Sequence, residues 1–462
     1  MTHPEPSRPP VPKLPSLAEA TRVWLKIGLL SFGGPAGQIA LMHKELVEDR
    51  RWIGEQRFLH ALNYCMLLPG PEAQQLAVYI GWLMHRTLGG LIAGLLFILP
   101  GALVMLGLST LYVLYRQAPL VDGLFFGVKA AVLAVVIEAG IRISRRALRN
   151  RAMVIVAVAA FVAIYLLRLP FPLIILGAGL IGWLGHRWRP DLFAGAGGHS
   201  ASGADSEGLV DRILARGEAD HTRPSAGRAL STAALWLPLW LGPLLALVLI
   251  TGTGSVWSQI GGFFSLMAVV TFGGAYAVLA YVAQAAVQTY GWLGAGEMLD
   301  GLGLAETTPG PLILVLQFVG FLAGFRAPGA LPPLLAGTLG AALTLWATFA
   351  PCFFWIFLGA PYVEALRGNR GLSAALGAIT AAVVGVIMNL ALWFGLHVLF
   401  REVRPAPILG FAPDWPVLAS LDWRAALLSG FAMLAMLRFK LGMVKTLLVC
   451  AFAGLALTKL TG

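Results

Sequence analysis

The sequence predicts an all-α polytopic membrane protein made of two homologous repeats with inverted topology, whose helices are broken by glycine and proline. Apolar residues make up 58% of the chain and charged residues only 12%, against about 25% charged residues in soluble domains. Apolar stretches recur from end to end, each long enough to cross a hydrocarbon core of about 30 Å. Short glycine and proline motifs occur twice, 240 residues apart, which indicates a duplicated domain.

The predicted organisation has five parts and about 10 to 13 membrane segments. They are a disordered N-terminal tail (1–20), a first repeat (21–186), a polar cytoplasmic linker (187–230), an extra transmembrane helix (231–255) and a second repeat (256–462). The tail is rich in proline and has no apolar run, which is atypical of a cleavable secretory signal. The linker is rich in glycine and serine, which is typical of flexible segments.

Charges in the loops favour one topology over another. Loop 42–57, loop 142–151 and the linker are rich in Lys and Arg, so the positive-inside rule places all three in the cytoplasm. If every apolar segment crosses the membrane once, loop 42–57 lies outside the cell. If segments 22–41 and 58–84 instead enter the membrane and return as broken hairpins, this loop lies inside. Both counts invert the second half, because one extra segment separates the repeats. Residues 395–425 are predicted outside although they carry three arginines.

The first repeated motif is a helix break inside an apolar stretch. Ser31-Phe32-Gly33-Gly34 returns as Thr271-Phe272-Gly273-Gly274. Glycine pairs free backbone N–H groups, and successive free N–H groups at the start of a helix bind anions. The hydroxyls of Ser31 and Thr271 add donors without a fixed charge. The alternative is that the glycines only allow helices to pack closely.

The second repeated motif is Pro69-Gly70-Pro71, which returns as Pro309-Gly310-Pro311. Each copy is predicted to begin a half-helix. Glu72 follows the first copy, where it is either a proton-coupling carboxylate or a plain helix-start charge; the second copy has Leu312 at that position. Thr308 precedes the second copy and is a further candidate ligand.

Lys129 is a cation inside an apolar segment. It either neutralises a bound dianion or extends its charged end to the membrane surface. The predicted substrate ligands are therefore Ser31, Gly33, Gly34, Gly70, Lys129, Thr271, Gly273, Gly274, Thr308 and Gly310, with Glu72 as the coupling residue.

Several classes of function are disfavoured. The net charge of +11 comes from cations in loops between apolar segments, which argues against nucleic-acid binding. No motif resembles a nucleotide-binding loop, and the three cysteines are far apart without metal-ligand spacing. No cofactor or metal is therefore expected. A membrane-embedded enzyme is the less favoured alternative to a transporter.

The motifs resemble those of the chromate ion transporter family in its long form with two fused domains. The resemblance rests on the paired Phe-Gly-Gly and Pro-Gly-Pro motifs, the Trp-Ile-Gly between them, and the run Leu-Leu-Pro-Gly-Pro-Glu-Ala-Gln-Gln-Leu-Ala-Val-Tyr-Ile-Gly-Trp over 67–82. It implies a multi-pass protein of the bacterial inner membrane that exports chromate, confers chromate resistance and is driven by the electrochemical gradient. Sulfate and other oxyanions are alternative substrates, because neutral donors discriminate poorly between tetrahedral dianions. Whether the chain forms a homo-oligomer is left open.

Overall fold

A computed structural model of the protein describes residues 14–193, 208–215, 220–272, 275–362, 370–406 and 413–461. Helices dominate these residues, with one small antiparallel ladder of β1 (Val403–Pro405) and β2 (Asp414–Pro416). The first half contains α1 Leu17–Leu30, α2 Gly34–His43, α3 Glu55–Cys65, α4 Glu72–Tyr115, α5 Pro119–Ala147, α6 Arg151–Tyr165 and α7 Phe171–Trp188.

The middle of the chain contains α8 Pro190–Phe193, α9 Leu209–Ala215 and α10 Ala226–Thr251. The second half contains α11 Val256–Val270, α12 Ala275–Gln284, α13 Ala295–Thr307, α14 Val315–Arg326, α15 Pro333–Gly359, α16 Arg370–Leu399, α17 Trp423–Met433 and α18 Met443–Thr461. Short π-helical turns continue three helices, at Lys44–Asp49, Ala285–Thr289 and Leu434–Arg438. Short 3-10 turns lie at Asp220–Thr222, Leu312–Leu314, Ala360–Tyr362 and Leu418–Ser420.

The described chain contains six helices long and apolar enough to cross a membrane. They are Glu72–Tyr115, Pro119–Ala147, Ala226–Thr251, Pro333–Tyr362, Arg370–Leu399 and Met443–Thr461. The prediction of an all-α polytopic membrane protein is confirmed.

The broken segments form pairs of short helices. Within α4 the backbone leaves helical geometry at His85 and Arg86, and the two arms fold back on one another. Gly81 and Gly89 make this possible, because a Cβ on Gly81 would lie 2.5 Å from the Gly89 carbonyl oxygen. The arm that precedes the bend is about 20 Å long, which is shorter than a hydrocarbon core of about 30 Å. The re-entrant path predicted for segment 58–84 stays a prediction.

The second half repeats this order of elements. Helix α11 ends at Thr271 as α1 ends at Ser31, and α14 packs against α15 as the two arms of α4 pack together. Small residues again allow the close approach, since a Cβ on Gly324 would lie 2.4 Å from the Ala336 carbonyl oxygen. The opposite orientation of the halves in the membrane stays a prediction.

The two halves interlock in one core. Helix α5 of the first half packs along α18 of the second, and α16 of the second half packs along α6 and α7 of the first. Both interfaces depend on glycine: a Cβ on Gly127 would lie 1.8 Å from the Cys450 carbonyl oxygen, and one on Gly182 would lie 2.5 Å from that of Ala374. The repeats are therefore sequence units that share a core.

Two predicted boundaries differ from the structure. Helix α1 begins at Leu17, inside the range predicted as tail, because the Ser16 side chain caps it at the Glu19 N–H and because its apolar face is buried. The predicted linker contains α8, α9 and the start of α10, whereas residues 194–207 and 216–219 lie outside the described residues. These short helices form because they pack against the first half.

Helix α9 docks on the turn that precedes α3. The Leu209 N–H donates to the Arg51 carbonyl oxygen at 3.0 Å, and the Asp211 carboxylate accepts from the Gly54 N–H at 2.7 Å and pairs with Arg57. In the second half, Gly294 has the place of Gly54, and its N–H donates to Glu297 of its own helix at 2.8 Å. Because the first half has Arg57 where the second has Glu297, the linker supplies the missing carboxylate.

The three arginines in 395–425, which contradicted the charge rule, are paired with carboxylates. Arg401 and Arg424 both lie against Asp422, and Arg404 lies against Glu402.

Candidate functional site

In both halves, the helix that precedes the glycine pair ends with the same side-chain hydrogen bond. Helix α1 ends where the Ser31 hydroxyl donates to the Ile27 carbonyl oxygen at 2.6 Å, and the Thr271 hydroxyl donates to Met267 at the end of α11 in the same way. Gly33 and Gly34 then have φ angles of 88° and 69°, a region that favours glycine. The space beside both is open, since no atom lies within 4 Å of a Cβ placed on either.

The hydroxyl protons of Ser31 and Thr271 are therefore directed at helix carbonyls, and their role as donors to a substrate stays a prediction. Gly273 and Gly274, the predicted ligands in the second half, lie outside the described residues.

The second pair of breaks meets the first pair across the two halves. The Gly70 N–H donates to the Thr271 carbonyl oxygen at 2.8 Å, and the Gly310 N–H donates to the Ser31 carbonyl oxygen at 2.8 Å. The two bonds are reciprocal, because each proline-glycine-proline turn binds the serine or threonine of the other half. All four breaks thus converge on one region inside the protein. The Gly70 and Gly310 amides already have partners, so their predicted role as substrate ligands rests on proximity.

Three buried glutamines line this region. Gln38 donates to the Gly310 carbonyl oxygen at 2.6 Å, and Gln75 donates to the Pro69 carbonyl oxygen at 2.7 Å. Gln74 is fully buried, and in the described part of the chain neither its amide nitrogen nor its amide oxygen has a hydrogen-bond partner. An unpaired amide in a buried site is costly unless a ligand or water satisfies it. Gln74 therefore has an amide nitrogen free to donate, whereas the unpaired atoms of Gln38 and Gln75 are acceptor oxygens.

Gln38 is not among the ligands predicted from the sequence. The available signal was its position four residues after Gly34, one helical turn into the half-helix that the break begins.

Two long helices lie close to the proline-glycine-proline turns, α4 through Gly101 and α15 through Cys352. A Cβ on Gly101 of α4 would lie 2.1 Å from the Pro309 carbonyl oxygen, and a Cβ on Gly70 would lie 2.9 Å from Cys352 Sγ of α15. Gly101 and Cys352 each follow a proline in the middle of their helix, Pro100 and Pro351. The sequence analysis did not find this pair, although the shared spacing after proline was a usable signal.

Glu72 and Thr308 lie beside the proline-glycine-proline turns. Glu72 is half-buried in the first turn of α4, and within the described chain no cation lies at ion-pair distance from it. The Thr308 hydroxyl donates to the Ala305 carbonyl oxygen at 3.0 Å. Their predicted roles stay predictions.

Lys129 is engaged in a different cluster. Its Nζ atom lies 3.4 Å from Asp300, which is fully buried and also contacts the Tyr112 hydroxyl at 2.8 Å and Arg116 at 3.2 Å. Lys129 also lies against Gly296. This buried ion network joins α4, α5 and α13. The sequence analysis missed Asp300, and the predicted role of Lys129 as a substrate ligand stays a prediction.

The hydrogen-bond donors around the helix breaks are neutral groups, namely backbone and glutamine amides. The described residues hold no group of three or more His, Cys, Asp or Glu side chains that could bind a metal ion. Paired broken helices that meet inside a membrane protein are the arrangement that secondary transporters use for their binding sites. The fold and the site therefore define a membrane transporter of the broken-helix class.

The chain belongs to the chromate transporter family, whose model matches residues 18–183 and 258–455. It is 33% identical over 367 residues to the "Chromate transport protein" of Pseudomonas aeruginosa, covering 79% of this chain and 77% of that protein. It is 28% identical over 374 residues to the "Chromate transport protein" of Cupriavidus metallidurans, covering 80% and 81%.

A third relative is the "Probable chromate transport protein" of Synechococcus elongatus, 28% identical over 380 residues, which cover 82% of this chain and 85% of that protein. No solved structure matches the chain. The protein is a multi-pass bacterial membrane protein, as the family and the apolar helices together indicate.

Proposed function

We propose that this protein exports chromate from the bacterial cytoplasm, driven by the electrochemical gradient, and so confers resistance to chromate. The observation that carries the proposal is the reciprocal pair of bonds from Gly70 to Thr271 and from Gly310 to Ser31 in a member of the chromate transporter family. These bonds bring all four helix breaks to one place, which a single binding site requires.

The proposed site binds a tetrahedral dianion through neutral donors. The Gly33 and Gly34 backbone faces open space, and the amide nitrogen of Gln74 has no partner among the described residues. Donors of this kind stabilise negative charge without an ion pair that would hold the substrate too tightly for release. Sulfate has the same shape and charge, so it is the alternative substrate.

Contacts between segments support the re-entrant, inverted topology. The linker contacts loop 42–57 through Asp211 and Gly54, as the topology with both on one side of the membrane requires. A count in which every segment crosses once would place them on opposite sides. Arg116 contacts Asp300 at the other end of the molecule, where the re-entrant count places both outside. The linker and loop 42–57 are then cytoplasmic, as the positive-inside rule requires.

The membrane potential supplies enough driving force by itself. Moving one charge through 100 mV is worth about 2.3 kcal/mol, so a dianion leaving a negative interior gains about 4.6 kcal/mol. That free energy corresponds to a gradient of more than about a thousandfold. Proton coupling through Glu72 is an addition to this mechanism that export does not require.

The test is uptake of radiolabelled chromate into inverted membrane vesicles with the interior held positive. Uptake is expected to rise with the potential and to fall when an ionophore collapses it. Uptake that ignores the collapse of both the potential and the pH gradient would refute the electrochemical mechanism. Competition with unlabelled sulfate measures selectivity, and purified protein in liposomes separates transport from an enzymatic loss of chromate.

A further inference from the structure

Glu306 is a carboxylate sealed inside the protein at the last turn of α13, three residues before Pro309. It is only 2% exposed. Its Oε1 atom accepts a hydrogen bond from the Tyr276 hydroxyl at 2.7 Å, and its Oε2 atom has no partner among the described residues. Tyr276 itself is 5% exposed and lies in the first turn of α12, directly after the second glycine pair. The carboxylate thus joins the two breaks of the second half.

The charged groups around Glu306 do not neutralise it by direct contact. Glu138 and Arg142 face it from α5, but neither forms an ion pair with it in the described chain, and Arg142 is exposed. Other cations against α13 are engaged elsewhere: Lys129 and Arg116 pair with Asp300, and Arg326 of α14 pairs with Glu297 at 2.6 Å.

The remaining helices packed against α13 are α16 and α18, and their described residues place no cation at ion-pair distance from Glu306. A buried charge without a cation is expensive, whereas a neutral carboxylic acid in the same place needs only ordinary hydrogen bonds. The geometry therefore suits a group that exchanges a proton.

We propose that Glu306 is a proton-binding site through which proton flow is coupled to transport of the oxyanion. A proton from the aqueous phase binds Oε2, giving the neutral acid, while the Tyr276 hydroxyl continues to donate to Oε1. The reverse step returns the carboxylate and releases the proton, with Glu138 as the nearest acidic group on the way toward the arginine-rich end of α5. This coupling rests on the proposed transport function.

The site is placed so that proton and substrate affect one another. Tyr276 belongs to the half-helix that begins after the glycine pair, and Glu306 to the half-helix that ends at Thr307. Three residues after that end, the Gly310 N–H donates to the Ser31 carbonyl oxygen. Negative charge on a bound dianion and on Glu306 would repel at close range, so substrate binding favours protonation of Glu306. The first half has Met66 at the position of Glu306, so this site belongs to the second half alone.

The first test measures chromate accumulation in proteoliposomes at a fixed potential with and without a pH gradient of one unit, acidic outside, because a proton that binds together with the oxyanion moves in the same direction. For one coupled proton, the accumulation ratio is expected to rise about tenfold in the wild type and not at all in Glu306→Gln. Glu306→Asp, which keeps a titrating group, should retain the rise. Glu297→Gln is the matched control at the exposed end of the same helix and should also retain it.

The results that overturn the proposal are specific. A pH response retained in Glu306→Gln refutes the site, and its loss in Glu72→Gln alone assigns coupling to Glu72 instead. Accumulation that follows a sodium gradient rather than a pH gradient shows that the site binds Na⁺.

A second measurement does not depend on transport. Infrared difference spectra between acidic and alkaline buffer should show the C=O stretch of a protonated carboxylic acid that Glu306→Gln removes and Tyr276→Phe shifts. An identical band in Glu306→Gln refutes the proton site. If the wild type moves no chromate yet this band is present, the proposed substrate is wrong and the proton site stands.

Discussion

Gly101 lies so close to Pro309 that a Cβ atom on Gly101 would be 2.1 Å from the Pro309 carbonyl oxygen. The contact joins a long helix of the first half to the proline-glycine-proline turn of the second. Backbone on both sides of this contact leaves no flexible side chain to move aside.

Gly101→Ala is therefore expected to destabilise the protein by about 1–3 kcal/mol and to displace the second turn. Thermal unfolding in detergent and chromate flux should both fall. Gly107→Ala is the matched control on the same helix, because no atom lies within 4 Å of a Cβ placed there. Equal stability of the two variants would contradict the close contact.

Gly34→Leu should abolish chromate transport while membrane abundance stays near normal. The side chain enters open space, so it causes no clash, and the backbone strain at a positive φ costs about 1–2 kcal/mol. A leucine there would fill the volume that the substrate needs. Flux in liposomes and abundance in membranes are measured together.

Gly274→Leu tests the same prediction in the second half, with Gly262→Leu as an exposed control on α11. Normal transport by both site variants would place the site elsewhere. Failure of both to accumulate would favour the alternative that the glycines serve helix packing.

Gln74→Leu separates a binding role from a structural one. Because Gln74 has no hydrogen bonds to lose, the variant should be as stable as the wild type or more stable. If its amide binds the oxyanion, the KM for chromate should rise about tenfold, the value of one hydrogen bond of about 1.4 kcal/mol. Gln317→Leu is the comparison, since Gln317 donates to the Ala102 carbonyl oxygen at 2.9 Å and should lose stability. Unchanged KM in Gln74→Leu would exclude its amide from the site.

Asp300→Asn should destabilise the protein by about 3 kcal/mol, because two cations then face a neutral amide in a buried position. Adding Lys129→Met removes one unpaired cation and should restore part of the loss. The double-mutant cycle, measured by thermal unfolding, is expected to give a coupling above about 0.5 kcal/mol. If the free-energy changes of the two single variants simply add, the 3.4 Å contact between Lys129 and Asp300 contributes nothing to stability.

Cysteines placed singly at Ala295 and Ser202 should label from opposite sides of the membrane. The background replaces Cys65, Cys352 and Cys450, which are buried and free. Ala295 begins α13, predicted outside, and Ser202 lies in the predicted cytoplasmic linker. Labelling of both from the same side with an impermeant maleimide would refute the inverted arrangement.

The positions of the helix breaks could be predicted from sequence because glycine and proline act locally. Ser31 and Thr271 end their helices as the repeated motif predicts, and the bend at His85 lies at the predicted end of segment 58–84. The partners of buried polar groups could not be predicted in this way. Asp300 meets Tyr112 and Arg116 only through the packing of α13 on α4, across more than 180 residues of chain.

Gly70 and Gly310 were predicted from the sequence as substrate ligands, and in the structure their amides donate to carbonyl oxygens of the opposite half. A repeat found in sequence says which residues correspond, and it does not say which copy each residue will contact. The interlocking of α5 with α18 has the same origin, since single-chain periodicity carries no information about which half a helix packs against.

The Asp211 carboxylate accepts a hydrogen bond from the Gly54 N–H, so the effect of dividing this gene into two reading frames depends on which side of Asp211 the division falls. A division between residues 194 and 207 would put Asp211 on the second polypeptide, and the start of α3 would be completed only when the two products meet. A division between 216 and 219 would keep the carboxylate with the helix that it caps. With the first division, the start of α3 lacks its cap until the two products meet, whereas with the second it is capped within one polypeptide.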